Sequence, residues 1–528
     1  MNDQSSLDSQ VTEIYRLLSE NQLESAGNLC EQLVQQAPEH APGWAAFSEL
    51  WLRCGEFEKA GAAARRALEL DEQSVDFTIL FSRCLLHSGE FLAANQFGRK
   101  ALDLGLTRAD QLNQLGTVFS RVGEQRAALN LFARASQVAP RDTGILHNLA
   151  ISLRIFGLFD RAEAVFDEVL RLNPGDFGAL YQRSMTRTQT RENNHVETLK
   201  KAVRESAKPY TRALAQFALA KELEDLGDHA ASFEHLAAGA AEVDDLIDDH
   251  TDAEIAGIRA MTEIDPATFK AAEDEPADGP TPIFILGLPR SGTSLVENIL
   301  GAHDDVTPCG ELRDLQVLLS RQVGSGETSE PVVKRVAESI SDVDFKALGE
   351  SWLQRVAPRA GGRSHLTDKM PQNALYSGLI HAALPQARII LMERHPVDSC
   401  YAMYKHLFSG SSCGYSYDLD KLARYYLAFR DLTEFWKSTI PEPALMVCRY
   451  EALIESPREA VQRLLAFSNL SWQEKCLEFH HGSKPLSPSS ASEVNQRIHS
   501  RSIGLWKQYR TELAPLIDRL AESGVEIE

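Results

Sequence analysis

Pro282-Ile283-Phe284-Ile285-Leu286-Gly287-Leu288-Pro289-Arg290-Ser291-Gly292-Thr293-Ser294-Leu295-Val296-Glu297-Asn298-Ile299-Leu300 is the stretch from which the rest of the chain can be read. Its first six residues form a short apolar run rich in strand formers, and its last six carry helical periodicity, so the order is strand, glycine-bearing loop, helix. Such a loop turns backbone N–H groups and a helix N-terminus towards one point, where a phosphate is well held. Gly287 to Ser294 nearly spells GxxxxGK[ST], but Thr293 stands where the lysine belongs. A nucleoside-triphosphate enzyme wants that lysine on its β- and γ-phosphates with Mg²⁺ nearby, which argues against a kinase or NTPase. The expectation is a P-loop-like, parallel α/β domain over residues 281–528.

A second apolar strand ends in a cation: Arg388-Ile389-Ile390-Leu391-Met392-Glu393-Arg394, followed by His395-Pro396-Val397-Asp398. Arg394 can pair a phosphate bidentately. The PRSGTS loop with this strand exit resembles the sulfotransferases that use 3′-phosphoadenosine-5′-phosphosulfate (PAPS). That resemblance implies that Arg290, Ser291, Gly292, Thr293 and Ser294 hold the 5′-phosphosulfate and Arg394 the 3′-phosphate. Cys448-Arg449-Tyr450-Glu451-Ala452-Leu453 is similar to the family's RYEDL-type segment, which implies Tyr450 near the adenine, with Arg449 and Glu451 structural. Cys309-Gly310-Glu311 resembles the CGE of the tyrosylprotein sulfotransferase branch and implies Glu311 as general base. In His365-Leu366-Thr367-Asp368-Lys369-Met370-Pro371-Gln372-Asn373, Lys369 resembles the lysine that touches the transferred sulfate, a task shared with Arg290. Ser490 to His499, followed by Trp506, is similar to the S-x-x-Q-V segment. It implies Ser490 on the leaving phosphate and Val494 beside the cofactor.

The chemistry matches these residue types. Sulfuryl transfer moves a neutral SO₃ unit between two oxygens, so it needs a base for the acceptor hydroxyl and fixed positive charge, with no metal. A carboxylate suits a phenol, whose acidity rises as its oxygen bonds to sulfur. His303 is the competing base and is read as structural. Three positions depart from the family pattern: Ala402 replaces a serine eight residues after Arg394, a role Ser399 could take over, Glu493 replaces Gln and Arg497 replaces Pro. They leave open a non-catalytic scaffold with a decayed transferase domain, against which stands the survival of Arg290, Glu311, Lys369, Arg394 and Ser490. The expected acceptor is tyrosine of a peptide or protein; a carbohydrate, lipid or metabolite hydroxyl is the alternative. Cys476, His480 and His481 lack a second pair at metal-ligand spacing, so no metal is expected.

Upstream the chain repeats. Asn21, Gly55, Gly89, Gly123 and Gly157 recur every 34 residues, and five positions later stand Ala26, Ala60, Ala94, Ala128 and Ala162. Alanine suits a close helix crossing, and glycine frees the turn between two helices. Twelve positions beyond the alanines, Pro38, Pro140 and Pro174 end the second helix in three of the repeats. Period and residue types resemble the tetratricopeptide repeat (TPR), five clear copies and one or two decayed ones near Gly227. The expected organisation is a TPR α-solenoid over 10–245, a linker over 246–280 rich in Ala, Glu, Asp and Pro, and the transferase domain over 281–528. Solenoids of this kind leave a groove suited to extended peptide, and a structural role such as dimerisation through the solenoid is equally open.

The 528 residues carry a net charge of −21, with 43% hydrophobic and 24% charged residues, which excludes disordered and fibrous classes. Before Pro280 there are 45 acidic and 27 basic residues, after it 30 and 27, so the acid excess lies in the first half. That excess argues against nucleic acid as a partner there and leaves a basic partner open. The eight cysteines show no CxxC, and no signal peptide or membrane span is visible, so a cytoplasmic protein is expected.

Overall fold

The computed structural model describes residues 2–271, 279–324, 330–408, 410, 413–479 and 500–527. They form two compact units, Met1–Leu153 and Arg154–Glu528.

The first unit is built from helix pairs: α1 (Asn2–Ser19) with α2 (Leu23–Gln36), α3 (Ala41–Cys54) with α4 (Phe57–Leu70), α5 (Val75–His87) with α6 (Phe91–Leu104), and α7 (Ala109–Arg121) with α8 (Gln125–Val138). At each turn the repeating residue takes positive φ, 59° at Asn21, 77° at Gly55, 76° at Gly89 and 92° at Gly123, which lets the second helix start at once. Ala26, Ala60, Ala94 and Ala128 are fully buried where the paired helices cross. Two crossings are also pinned by hydroxyls, Ser48 Oγ donating to the carbonyl of Ala60 at 2.9 Å and Ser82 Oγ to that of Ala94 at 2.7 Å. The helical repeat expected from the spacing of 34 is therefore present. Helix α9 (Thr143–Ile155) follows α8.

The second unit begins with more helices: α10 (Phe159–Leu172), α11 (Phe177–Ser184), α12 (Val196–Glu205), α13 (Pro209–Asp225), α14 (His229–Asp244) and α15 (Thr251–Thr262). The α13–α14 turn repeats the earlier device, with Gly227 at φ 81° and Ser232 Oγ donating to the carbonyl of Ala220. A five-stranded parallel sheet follows, ordered β2-β3-β1-β4-β5, with β1 Thr281–Gly287, β2 Val306–Pro308, β3 His365–Asp368, β4 Arg388–Glu393 and β5 Leu445–Arg449. In β1 and β4 alternate residues feed two cores, Phe284, Leu286, Ile389 and Leu391 on one face, Ile283, Ile285, Ile390 and Met392 on the other. Helix α16 (Thr293–Gly301) covers the second face through Val296, Ile299 and Leu300, while Trp352 and Trp436 cover the first. This is the parallel α/β arrangement expected from the sequence.

One core joins the α11–α15 helices to the sheet: Phe217, Leu236, Ile258 and Phe269 belong to the cluster that holds Phe284 and Leu391. The stretch read as a linker carries α15 and a 3-10 turn at Pro266–Phe269, whose Phe269 ring lies edge-on to Trp436 at 5.0 Å. Among the described residues no helix is long and apolar enough to cross a membrane, and all eight cysteines are free thiols.

Candidate functional site

The loops leaving the carboxyl ends of β1, β3, β4 and β5 bring most of the singled-out residues together. After β1 the chain turns at Gly287 (φ 147°), where an added Cβ would lie 2.8 Å from the carbonyl oxygen of Met392. Arg290 itself takes φ 68°, unusual for a side chain with a Cβ, and Gly292 takes 101° as the N-cap of α16. The loop thus wraps tightly before the helix N-terminus, and the buried Ser291 Oγ has no hydrogen-bond partner among the described residues. Thr293 is buried in the first turn of α16, with Ser294 next to it.

Arg394, leaving β4, closes over this loop. One guanidinium nitrogen donates to the Arg290 carbonyl at 3.0 Å and another to the Ser502 carbonyl at 2.6 Å, while Nε is buried without a partner among the described residues. Its guanidinium carbon stands 4.8 Å from the centre of the Tyr450 ring, a cation–π distance. Tyr450 and Ser502 exchange a hydrogen bond of 2.9 Å between their hydroxyls. Arg290, Gly292, Arg394, Tyr450 and Ser502 therefore surround one spot. Glu451 accepts the His395 N–H at 2.8 Å, and Arg449 is exposed at the end of β5. Ser399 Oγ donates to the Arg394 carbonyl at 3.4 Å, and Ala402 is buried further along helix Pro396–Tyr404.

A second group forms where β2 and β3 end. Lys369 Nζ, 1% exposed, donates to Glu311 Oε1 at 2.6 Å, whereas the Glu311 side chain is 45% exposed. Glu297, on α16, positions this pair from beneath: its Oε1 accepts the Gly310 N–H at 2.8 Å and the Thr367 hydroxyl at 2.9 Å. The Lys369 N–H donates in turn to the Gly310 carbonyl at 2.9 Å. Burial raises the Glu297 carboxyl, opposed chiefly by the charge of Lys369. Burial, with the charge of Asp314, lifts Asp368 well above the usual carboxylate range, and burial pushes the Cys309 thiol up to about 12. His303 is buried with both ring nitrogens engaged, Nδ1 accepting the Asp305 N–H at 3.1 Å and Nε2 donating to the Ser471 carbonyl at 3.0 Å, which leaves no nitrogen for a base.

A third feature was not legible beforehand. His406 is pushed down to about 3 by burial and then by the charges of Arg290, Arg154 and Lys405. The sequence reading also missed Ser502 and Glu297. Glu297 left a signal, a lone carboxylate inside the apolar helix Leu295–Leu300. Ser490, Val494, Glu493 and Arg497, like His480 and His481, lie outside the described residues. Among the described residues no group of His, Cys, Asp and Glu could hold a metal ion.

Comparison with known proteins gives the arrangement a context. Residues 282–474 match a model described as the sulfotransferase family. An uncharacterized protein of Aquifex aeolicus is 28% identical over 408 residues, covering 76% of this chain and 53% of its own length. Protein-tyrosine sulfotransferase 1 of Danio rerio is 27% identical over 201 residues (38% of this chain, 55% of that protein), and protein-tyrosine sulfotransferase 2 of Gallus gallus 25% over 267 residues (45% and 68%). The chain thus spans about half the length of the Aquifex and Danio relatives. The crystal structure of YrrB, a TPR protein with an unusual peptide-binding site, aligns with a TM-score of 0.28 and 23% identity over 39% of this chain and 96% of that one. The repeat assignment rests on the helix pairs themselves. By its helix pairs, its parallel sheet and its matching segment, the chain resembles a TPR-containing sulfotransferase of the tyrosylprotein branch.

Proposed function

We propose that the chain is a PAPS-dependent sulfotransferase whose acceptor is a tyrosine of a peptide or protein. The observation that carries this reading is the pair of groups at the sheet's carboxyl edge: an anion-suited loop closed by Arg394 and Tyr450, and the Glu311–Lys369 pair beside it. The orphaned Ser291 Oγ and Arg394 Nε are buried polar atoms of the kind that phosphate oxygens satisfy. PAPS supplies the sulfuryl group when bound. Arg290, Ser291, Gly292, Thr293 and Ser294 are assigned to its 5′ end, Arg394 to its 3′-phosphate and Tyr450 to its base, with Ser490 and Val494 carried as sequence assignments. Ser502 joins them as the residue that holds Tyr450 and Arg394 in place.

Glu311, half in solvent, takes the acceptor proton; Lys369 orients its carboxylate and sets positive charge beside the reacting oxygens. Glu297 is a positioning residue, since it fixes the Gly310 backbone and Thr367. The domains are proposed as repeats over 10–245, a connecting stretch over 246–280 and the transferase over 281–528, in a cytoplasmic protein whose repeats receive peptide. The absence of CxxC spacing and the free thiols support that setting.

Calorimetric titration with 3′-phosphoadenosine-5′-phosphate, AMP and ATP-Mg²⁺ tests the reading. The 3′-phosphorylated nucleotide should bind best; Arg394→Ala should weaken it by about 2–3 kcal/mol, whereas Glu311→Gln should leave binding intact and lower turnover of a tyrosine peptide by roughly 10²–10⁴-fold. Preference for ATP-Mg²⁺, or equal loss of binding in both variants, would sink it.

A further inference from the structure

Within the first unit a cavity of about 410 Å³ opens among α1, α3, α5 and α7, the first helices of the four pairs. Because these helices repeat every 34 residues, their lining side chains fall into rows. One row reads Arg53, His87, Arg121, one residue from each of α3, α5 and α7; the neighbouring row brings Glu49 and Arg83. Arg83 pairs with Glu49, so those two charges cancel. Among the described residues Arg53 donates only to the Leu18 carbonyl, which leaves its charge uncompensated, and Arg121 is exposed with no ion pair. Burial first, then the charges of Arg121 and Arg83, lower the His87 imidazole, a sign of positive potential along the row.

The sign is opposite to that of the unit around it. Residues 1–153 contain 19 Asp and Glu against 13 Lys and Arg, a net of −6, yet the cavity offers three arginines and one carboxylate. The acid excess of the first half left a basic partner open; the cavity favours an acidic one.

We propose that this row is a docking site for an acidic peptide segment in extended form, its carboxylates set against Arg53 and Arg121 with His87 and Arg83 between them. Packed helices stand about 8–10 Å apart and an extended chain advances about 3.3 Å per residue, so acidic residues about three apart meet successive members of the row. Asn113 and Gln114 line the same cavity; their carbonyl oxygens accept from Asn148 at 2.9 Å and Arg83 at 3.3 Å, and their amide N–H groups can donate to a peptide carbonyl. A nucleic acid fits less well, because its backbone would need more cations than the two uncompensated ones and would be repelled by the acidic surroundings. The proposal rests on the repeats being a peptide groove and is independent of sulfuryl transfer.

Fluorescence anisotropy on the full chain, without nucleotide, would use a labelled Glu- and Asp-rich peptide, its Gln/Asn and Lys counterparts, and a single-stranded oligonucleotide. The acidic peptide should bind best and weaken with added salt, and Arg121→Glu and Arg53→Glu should each weaken it about tenfold. Lys100→Glu, the same charge change at an exposed position of α6, should leave it unchanged. Preference for the Lys peptide or the oligonucleotide, or acidic binding that ignores both reversals, would overturn the proposal. No peptide binding at all would overturn it together with the groove reading. Titrating the same samples with 3′-phosphoadenosine-5′-phosphate reports separately on the transferase reading and on whether the variants are folded.

Discussion

At Gly292 the backbone takes φ 101°, and an added methyl would lie 2.5 Å from Cδ2 of Tyr450. Alanine there must strain the backbone and push the ring away, and the ring is what faces the Arg394 guanidinium and bonds the Ser502 hydroxyl. Gly292→Ala should therefore weaken 3′-phosphoadenosine-5′-phosphate binding by about 1–3 kcal/mol, read by calorimetry, while the circular dichroism spectrum stays that of the parent. Unchanged affinity would mean that Tyr450 does not border the nucleotide. Gly292, Arg394 and Glu311 were legible because each sits in a short segment whose residue types and spacing state a chemistry. Ser502 was not, because its role is made by the approach of segments 108 and 52 positions away, Arg394 reaching its carbonyl and Tyr450 its hydroxyl. Glu297 showed only as a misplaced charge; that it holds Gly310 and Thr367 required the packing of α16 against β3.

Helix α13 shows what elements add. Its Glu224 accepts hydrogen bonds from the hydroxyls of Tyr401 at 2.7 Å and Tyr509 at 3.0 Å, and pairs with Lys405 at 2.7 Å, so one carboxylate ties α13 to helix Pro396–Tyr404 and to the Leu505–Tyr509 turn. Burial pushes its pKa up, but Lys405, Tyr401 and Tyr509 together outweigh burial and leave it below the ordinary value of 4.5. A carboxyl depressed in the folded state stabilises above its unfolded pKa and stops doing so as pH falls through the folded one. Glu224→Gln should thus cost about 2 kcal/mol at neutral pH, with the difference from the parent shrinking below about pH 4.5, as read by urea midpoints at both pH values. A constant difference would remove the ionised carboxylate from the account. The period of 34 made the helix pairs legible, since turn glycines and crossing alanines repeat in register. The partner of each face was not legible: periodicity says that α13 buries residues, not that Phe217 joins the core of Phe284 and Leu391 or that Tyr401 bonds Glu224.

On the scale of the molecule, the change of architecture near residue 281 and the boundary of packing do not coincide. The sequence turns from helix pairs to strand and loop after Pro280, but the compact units divide at Leu153 and Arg154, because Phe217, Leu236, Ile258 and Phe269 share a core with Phe284 and Leu391. A chain cut at 281 would leave the sheet-side partners of those side chains in water, at roughly 1.5–3 kcal/mol for each large apolar residue exposed. That exceeds the stability of an ordinary domain once several are lost. It would also remove Arg154, one of the charges acting on His406 beside the loop. A fragment of residues 281–528 should therefore aggregate or unfold, whereas residues 154–528 should remain folded, unfold cooperatively on heating and bind 3′-phosphoadenosine-5′-phosphate within about threefold of the full chain. Expression of both fragments, followed by calorimetric titration and thermal melts, separates the outcomes. A stable, nucleotide-binding 281–528 fragment would show that α11–α15 lean on the sheet without holding it together, and the nucleotide site would then be a property of the strands and their loops alone.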